Sequence, residues 1–331
     1  MMHLHLLGIA LAASFLVRLL SRSHDSLRAQ QPMIQQSWQN RWHRAWVVLV
    51  VPPLLLLTTA FSVVAMGYST AHPWDGQLSY AVALCFVIAA IAVWLRLSWS
   101  AFRTWQEMHV YPMRPIQIGK RTALRQKQCR ILDVPAVFSA QVGLWSSGLW
   151  SSELVVSQGL LDHLDDEHLD AVLAHEAGHD YYRDTFWFFW LGLLKRLTCW
   201  LPDSESLWQE LLLLREMRAD RWAARSVDTL VLAESLMSVM TAPLLPASVC
   251  AEFSCAAPHS RLAQRIDALL SIETALAQDC INSENSENTE RQTKVDVMAE
   301  PASDWATALK IVPWEWIALS LMPLLIIPFH R

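Results

Sequence analysis

The chain has 331 residues and a formal charge of −5, with 53% hydrophobic and only 17% charged residues. This composition excludes a disordered chain, and its slight acidity without a long basic run argues against a dedicated nucleic-acid binder. The apolar excess, which includes 17 tryptophans, indicates either a globular protein with an unusual apolar surplus or a membrane protein.

Three apolar segments near the N-terminus predict transmembrane helices. Residues 45–67 contain no charge, and residues 78–97 are apolar as far as Arg96. About 20 apolar residues cross a hydrocarbon core of ~30 Å, so both segments qualify. Residues 4–20 are shorter and end near Arg18. Because no basic residue precedes this run and no A-x-A site follows it, an uncleaved first helix is favoured over a cleaved signal peptide.

A fourth transmembrane helix is expected at the C-terminus, over residues 311–331, where Trp314 and Trp316 suit a membrane interface. Counted with Arg18 and Arg96 at the span ends, the stretches 18–44, 68–77 and 96–130 carry five, zero and eight Lys or Arg residues. By the positive-inside rule, this places the region after residue 97 in the cytoplasm. We expect an integral protein of the bacterial inner membrane, with the lipid bilayer as one of its partners.

The region 98–277 is predicted to form a cytoplasmic domain with a few strands and several helices. Short β-rich runs at 135–142 and 153–157 indicate a hairpin or an edge pair. Apolar periodicity predicts helices over 165–180, 206–225 and 261–270. The polar stretch 278–310 is typical of a mobile linker.

The aromatic segment 186–201 is interrupted by Lys195 and Arg196. Because a charge pair in the middle of a span is costly in lipid, we predict a membrane-associated helix rather than a fifth span. A buried helix of the soluble domain remains the alternative.

The sequence HEAGH at 175–179 predicts a zinc site. Residues four apart share one face of a helix, so His175 and His179 can offer both imidazoles to one metal ion. Glu176 follows the first of these ligands, where its carboxylate can reach a metal-bound water. Zinc suits two nitrogens, one carboxylate oxygen and an open position for that water.

The candidate third ligand is Glu216, on the strongly helical segment downstream. Asp220 lies four residues further on the same face and can accept a hydrogen bond from a ligand imidazole. Alone, this arginine-rich segment would be typical of a solvated helix face. The upstream HEAGH motif favours the metal-binding interpretation.

The segments HEAGHDYYRD, EMRAD and VVSQGLLDHLDDEHLDAVLA resemble gluzincin-type integral membrane metallopeptidases. One related group is the BlaR/MecR-type family of sensor-transducers, in which three spans precede a cytoplasmic zinc domain and a fourth follows. The other is the HtpX-like family, which inserts a longer membrane hairpin between HExxH and the glutamate. Since only residues 180–215 intervene here, the BlaR/MecR type is favoured. This chain stops at Arg331, without the extracellular sensor of that family, so no β-lactam sensing is expected.

The resemblance implies a mainly α, polytopic membrane protein with about four transmembrane helices and a cytoplasmic zincin-like α+β metallopeptidase domain. It implies hydrolysis of peptide bonds in a cytoplasmic or membrane protein, for example a repressor, with one zinc ion held by His175, His179 and Glu216. Glu176 would be the general base, and Asp220 would orient a ligand imidazole. Two alternatives stay open: an HtpX-like quality-control protease and a non-catalytic zinc-binding transducer. The oligomeric state, a homodimer included, also stays open.

Overall fold

The computed structural model describes the chain in seven stretches: residues 2–28, 38–67, 73–116, 127–142, 152–241, 261–271 and 314–330. Within these residues the protein is mainly helical and contains one four-stranded sheet. It divides into two compact units. The first comprises Met1–Trp99, Phe188–Leu211 and Lys310–Arg331, and the second comprises Ser100–Trp187 and Leu212–Leu309. The predicted linker at 278–310 lies outside the described residues.

Three long helices account for most of the N-terminal part: α1 (Met2–Arg28), α2 (Trp38–Met66) and α3 (Pro73–His109). Each contains a stretch that is long and apolar enough to cross a membrane, judged by length and composition: 20, 29 and 34 residues in turn. Helices α1 and α3 extend beyond the predicted apolar segments at both ends, whereas α2 extends beyond its segment only at the N-terminal end. Of the three helices, α2 is the most buried: 67% of its most apolar stretch lies inside the protein, against 17% of the corresponding stretches of α1 and α3.

The C-terminal segment is not one continuous α-helix. Helix α10 covers Trp314–Ser320, and a 3-10 helix covers Met322–His330, where the sequence predicts a single span. Pro323 has no N–H, so the Ser320 carbonyl lacks the donor three residues ahead that a 3-10 helix would supply. The Thr58 hydroxyl on α2 lies 2.7 Å from this carbonyl oxygen and donates to it. The Ser62 hydroxyl similarly donates to the Pro323 carbonyl at 2.9 Å.

The aromatic segment forms α6 (Asp184–Leu197), and α7 (Ser204–Ala223) follows after a short turn. The Lys195 ammonium, which interrupts the apolar run, lies 2.7 Å from a Glu205 carboxylate oxygen and 5.3 Å from the Trp208 ring centroid. Its charge is therefore partnered within the first unit. Trp190 and Trp200 remain partly exposed.

The second unit contains a sheet of four strands, β1 (Met113–Ile116), β2 (Lys127–Leu132), β3 (Ser139–Val142) and β4 (Glu153–Ser157). Their order in the sheet is β1-β2-β4-β3. The strand β4 pairs in parallel with β2 and antiparallel with β3, which is an edge strand. The β-rich runs of the sequence thus form an antiparallel pair, although β3 is shorter than predicted. Gly159 lets the chain leave β4 close to the preceding loop, because a Cβ there would lie 2.1 Å from the Pro135 carbonyl oxygen.

The sheet and the helices of the second unit share an apolar core. Ser157 caps the N-terminus of α4, and Asp165 caps that of α5 by accepting from the His168 amide. Alanines on α5 allow close packing against leucines of α8 and α9, among them Leu232 and Leu269. The bounds are α4 (Gln158–His163), α5 (Asp166–Tyr181), α8 (Thr229–Thr241) and α9 (residues 262–271).

Candidate metal centre

Helix α5 carries His175 and His179 on one face, where both side chains are buried. Their Nε2 atoms lie 3.1 Å apart, and the two rings meet edge to face. This pairing follows from the helical repeat, which places residues four apart on neighbouring turns. The two imidazoles therefore face one common point.

Glu216 on α7 completes a group of three buried donors. Its Oε2 atom lies 3.4 Å from Nε2 of His175 and 3.7 Å from Nε2 of His179. The ligand atoms of these three residues all lie within 4.8 Å of one another. The other carboxylate oxygen accepts two hydrogen bonds from Arg215, at 2.6 and 3.0 Å.

These spacings fit a zinc ion. Zinc bonds of 2.0–2.2 Å in tetrahedral geometry imply ligand atoms about 3.3 Å apart, and the observed separations are 3.1, 3.4 and 3.7 Å. Two imidazole nitrogens and one carboxylate oxygen are the donors that catalytic zinc sites use, with the fourth position left for water. The residues present therefore fit one zinc ion.

Carboxylates beside the remaining ring nitrogens set the histidine tautomers. Nδ1 of His179 lies 2.7 Å from Oδ2 of Asp184, and Nδ1 of His175 lies 2.9 Å from Oδ1 of Asp220. A carboxylate at Nδ1 favours the tautomer with its proton there. We therefore assign both Nε2 lone pairs to the common point, an arrangement that a cation stabilises.

A tight turn brings Asp184 to the site. Helix α5 ends at Tyr181, and Arg183 adopts a left-handed conformation with φ of 55°, after which α6 begins. The Arg218 guanidinium donates to Asp184 and lies 4.1 Å from the centroid of the Tyr182 ring. This arginine neutralises the buried carboxylate that holds His179.

Asp220 has an arginine partner of its own. Arg265 on α9 donates to both carboxylate oxygens, at 2.7 and 2.8 Å. Its Nη1 atom also lies 3.4 Å from Oε2 of Glu216. Although burial raises the pKa of Asp220, the Arg265 charge holds it below the ordinary value. Asp220 thus remains ionised inside the protein.

The ionisation of the donors depends on these charges. Burial raises the pKa of Glu216, but Arg215 and His179 outweigh this effect and hold it well below the ordinary value. Burial lowers the pKa of His179, but Glu216 and Asp184 outweigh that effect and raise it to about 9. In the metal-free protein, the acidic donor is therefore ready to bind a cation, while His179 must first lose a proton.

Glycine at 178 allows α5 and α7 to approach each other. A Cβ at this position would lie 3.1 Å from the Ala219 Cα and 3.2 Å from the Trp222 Cβ. Helix α7 is the one that carries Glu216, so the missing side chain contributes to the short distance between the acidic donor and the histidines. This is the physical reason for the small residue within HEAGH.

Glu176 lies beside the donors and is buried. Its Oε1 atom accepts a hydrogen bond from the Ser139 hydroxyl at 2.8 Å. Its Oε2 atom is buried and has no hydrogen-bond partner within the described residues. One oxygen of this carboxylate is therefore held by strand β3 and the other is free.

The structure brings together all five side chains that the sequence singles out: His175, Glu176, His179, Glu216 and Asp220. Sequence reasoning missed Arg218, Arg265 and Ser139, and it suggested only a structural hydrogen-bonding role for Asp184. Arg265 lies in the helical segment RLAQRIDALL, but its spacing gives no indication that it pairs with Asp220, 45 residues earlier. Ser139 carries no sequence signal at all.

A family model described as Peptidase family M48 matches residues 140–209. This stretch includes HEAGH, ends before Glu216 and covers less than half of the chain. No curated protein and no solved structure matches the chain. The chain is thus similar to a peptidase family over its motif region, which supports a zincin-type metallopeptidase.

Proposed function

We propose that this chain is a membrane-embedded zinc endopeptidase that hydrolyses peptide bonds of a cytoplasmic or membrane protein. The observation that carries the proposal is the group of three buried donors, His175, His179 and Glu216, at tetrahedral spacing beside Glu176. The similarity to a peptidase family over residues 140–209, which include His175, Glu176 and His179, also supports it.

In the proposed mechanism, the three donors hold one zinc ion. When bound, zinc would supply Lewis acidity for the scissile carbonyl and would lower the pKa of the attacking water towards ~7. Glu176 takes the proton of the water on its free oxygen and passes it to the leaving amine. Asp184 and Asp220 keep the two imidazoles in the tautomer that offers Nε2 to the metal.

The edge strand β3 is a natural place for the substrate. It pairs with β4 on one side, and among the described residues no strand pairs with its other side. The Phe138 carbonyl accepts from the Ser157 amide of β4, and main-chain groups alternate in direction along a strand. The main-chain groups of Ser139 and Gln141 therefore point outward, where an extended peptide can add to the sheet.

We further propose that α1, α2 and α3 cross the membrane and that the donors lie on the cytoplasmic side. The length and composition of the three helices support the first part, and the distribution of Lys and Arg supports the second. The partly exposed Trp190 and Trp200 suit a membrane interface, so we assign the aromatic segment to the membrane surface. A reporter fused near Lys120 will be cytoplasmic if this is right, and an outward location would reverse the topology.

Among related groups, we favour the BlaR/MecR-type transducers, because a short connection with one 14-residue helix, α6, leads from α5 to α7. The substrate would then be a regulatory protein such as a repressor. An HtpX-like quality-control protease would instead cleave unfolded model substrates rapidly. A non-catalytic transducer would bind zinc without cleaving anything.

The decisive variant is Glu176→Gln, which removes the proton acceptor and leaves the three donors in place. We expect the purified full chain in detergent to cleave itself, and fluorescein-labelled casein only slowly, in a zinc-dependent manner. Glu176→Gln should retain zinc and lose this cleavage. Full activity of the variant would contradict the mechanism, and zinc binding without activity in the wild type would favour the transducer. Proteomic comparison of cells with the two forms would then reveal the natural substrate.

A further inference from the structure

Two side chains of strand β3 hold the residue that we propose as general base. The Ser139 hydroxyl donates to Oε1 of Glu176 at 2.8 Å, and the Gln141 amide nitrogen donates to the main-chain oxygen of Glu176 at 3.1 Å. The two side chains lie two positions apart, so they share one face of the strand. Strand β3 thus contacts both the side chain and the main chain of Glu176.

The two oxygens of this carboxylate are in different surroundings. Oε1 is occupied by the Ser139 hydroxyl, whereas Oε2 is buried and has no partner within the described residues. An unpartnered carboxylate oxygen in a buried position costs free energy, which a catalytic role for that oxygen would explain. This asymmetry selects one orientation of the carboxylate out of the range that a terminal Glu torsion allows.

We propose that Ser139 is a positioning residue for Glu176: it fixes Oε1 so that Oε2 faces the water that attacks the substrate. The inference rests on the proposed function, in which Glu176 accepts the proton of that water. No bond to Ser139 forms or breaks during the reaction. Its hydroxyl remains a hydrogen-bond donor, and the proton moves between water, Oε2 and the leaving amine.

The role of Ser139 is separable from its place in the sheet. Its main chain pairs in register with Val156 of β4, and this pairing does not use the hydroxyl. Removing the hydroxyl should therefore leave the strand and the proposed peptide-binding edge in place. The expected consequence is a Glu176 carboxylate that rotates, so that a smaller fraction of molecules has an oxygen placed for proton transfer.

The test compares Ser139→Ala with Ser139→Thr and with a matched control, Ser152→Ala. Ser152 also donates its hydroxyl to a carboxylate of α5, that of Asp180, at 2.7 Å, but Asp180 is not part of the proposed site. With labelled casein and the full chain in detergent, we expect Ser139→Ala to lower kcat about tenfold, with KM and bound zinc unchanged. Ser139→Thr should restore most of the loss, and Ser152→Ala should keep the wild-type kcat.

Three results would overturn the inference. The first is a kcat within twofold of wild type for Ser139→Ala, the second is an equal loss in Ser152→Ala, and the third is a loss that appears in KM or in zinc content. Combining Ser139→Ala with Glu176→Gln adds a double-mutant cycle, in which the first change should have no further effect once the base is gone. If Glu176→Gln is as active as wild type, the proposed function fails and this inference fails with it. If Glu176→Gln is inactive but Ser139→Ala keeps a kcat within twofold of wild type, only this inference fails.

Discussion

Substituting Gly178 by alanine tests whether the close approach of α5 and α7 builds the metal centre. The new Cβ would lie 3.1 Å from the Ala219 Cα and 3.2 Å from both Cβ and Cδ1 of Trp222, a few tenths of an ångström closer than ordinary packing. One of these atoms is main chain, so α7 itself must move. Since α7 carries Glu216, the movement separates the acidic donor from the histidines.

The magnitude follows from two opposing effects. Alanine is more favourable than glycine inside a helix by about 1 kcal/mol, while overpacking a close contact costs about 1–3 kcal/mol. We therefore expect the free energy of unfolding of Gly178→Ala to equal that of the wild type or to be lower by up to about 2 kcal/mol. Because metal–ligand distances tolerate deviations of only about 0.2 Å, a separation of a few tenths of an ångström should lower zinc affinity about tenfold.

Gly192→Ala is the matched control, because Gly192 also lies inside a helix, α6. The nearest atom to its new Cβ would be Cη2 of Trp208 at 3.8 Å, an ordinary contact. This variant should show only the helix-propensity gain, up to about 1 kcal/mol. The assay is thermal unfolding of the detergent-solubilised chain, followed by its tryptophan fluorescence, together with zinc competition against a chelator. If Gly178→Ala gains as much stability as Gly192→Ala and binds zinc like the wild type, the packing argument is refuted.

Three further predictions address other parts of the structure. Asp184→Asn removes the carboxylate charge beside Nδ1 of His179 and should weaken zinc binding about 10- to 100-fold. Competition with a chelator measures the zinc affinity, and an unchanged affinity would contradict the assigned tautomer. The pKa of His179 is about 9 in the metal-free protein, so protons compete with zinc for this side chain below pH 9. The apparent zinc affinity should therefore rise about tenfold per pH unit for each proton displaced and level off above pH 9. A zinc affinity that does not change between pH 6 and 9 would contradict this competition. Thr58→Val leaves the buried Ser320 carbonyl without its hydrogen-bond donor at 2.7 Å and should destabilise the C-terminal segment by about 1–3 kcal/mol. Limited proteolysis should then cut this segment faster than in the wild type. Resistance equal to that of the wild type would show that the contact is dispensable.

Local sequence patterns predicted the histidine pair and the three long apolar helices, because both depend on residues close together in the chain. The period of the helix places His175 and His179 on one face without reference to the rest of the fold. Uncharged runs of spanning length similarly indicate α2 and α3 by themselves. The coarse expectation of helices with a small sheet follows from the same patterns.

The arginines of the site could not be predicted in the same way. The pairing of Arg265 with Asp220 joins α9 to α7 across 45 residues, and a buried arginine on a helix has the same sequence appearance as an exposed one. Ser139 reaches Glu176 only because β3 lies at the edge of the sheet beside α5, and nothing in the sequence fixes the strand order. These contacts depend on the tertiary fold.

The C-terminal segment shows a different limit. Its apolar composition suggested one span, but Pro323 removes a main-chain donor and the segment continues as a 3-10 helix. The hydroxyl that satisfies the Ser320 carbonyl comes from Thr58, more than 250 residues earlier, and the Ser62 hydroxyl donates to the carbonyl of Pro323 itself. The apolar composition of the segment indicates neither the N–H that Pro323 lacks nor the Thr58 hydroxyl that replaces it.

The central claim is that His175, His179 and Glu216 hold the zinc ion that makes this chain a peptidase. The most direct test removes all metal with a chelator, then returns zinc in steps while bound zinc and casein cleavage are recorded on the same sample. We predict that cleavage is absent in the stripped protein, rises in proportion to bound zinc and saturates at one ion per chain, and that a His175→Ala/His179→Ala variant recovers neither. Cleavage that persists without metal, or stoichiometric zinc binding by the double variant, would contradict the account.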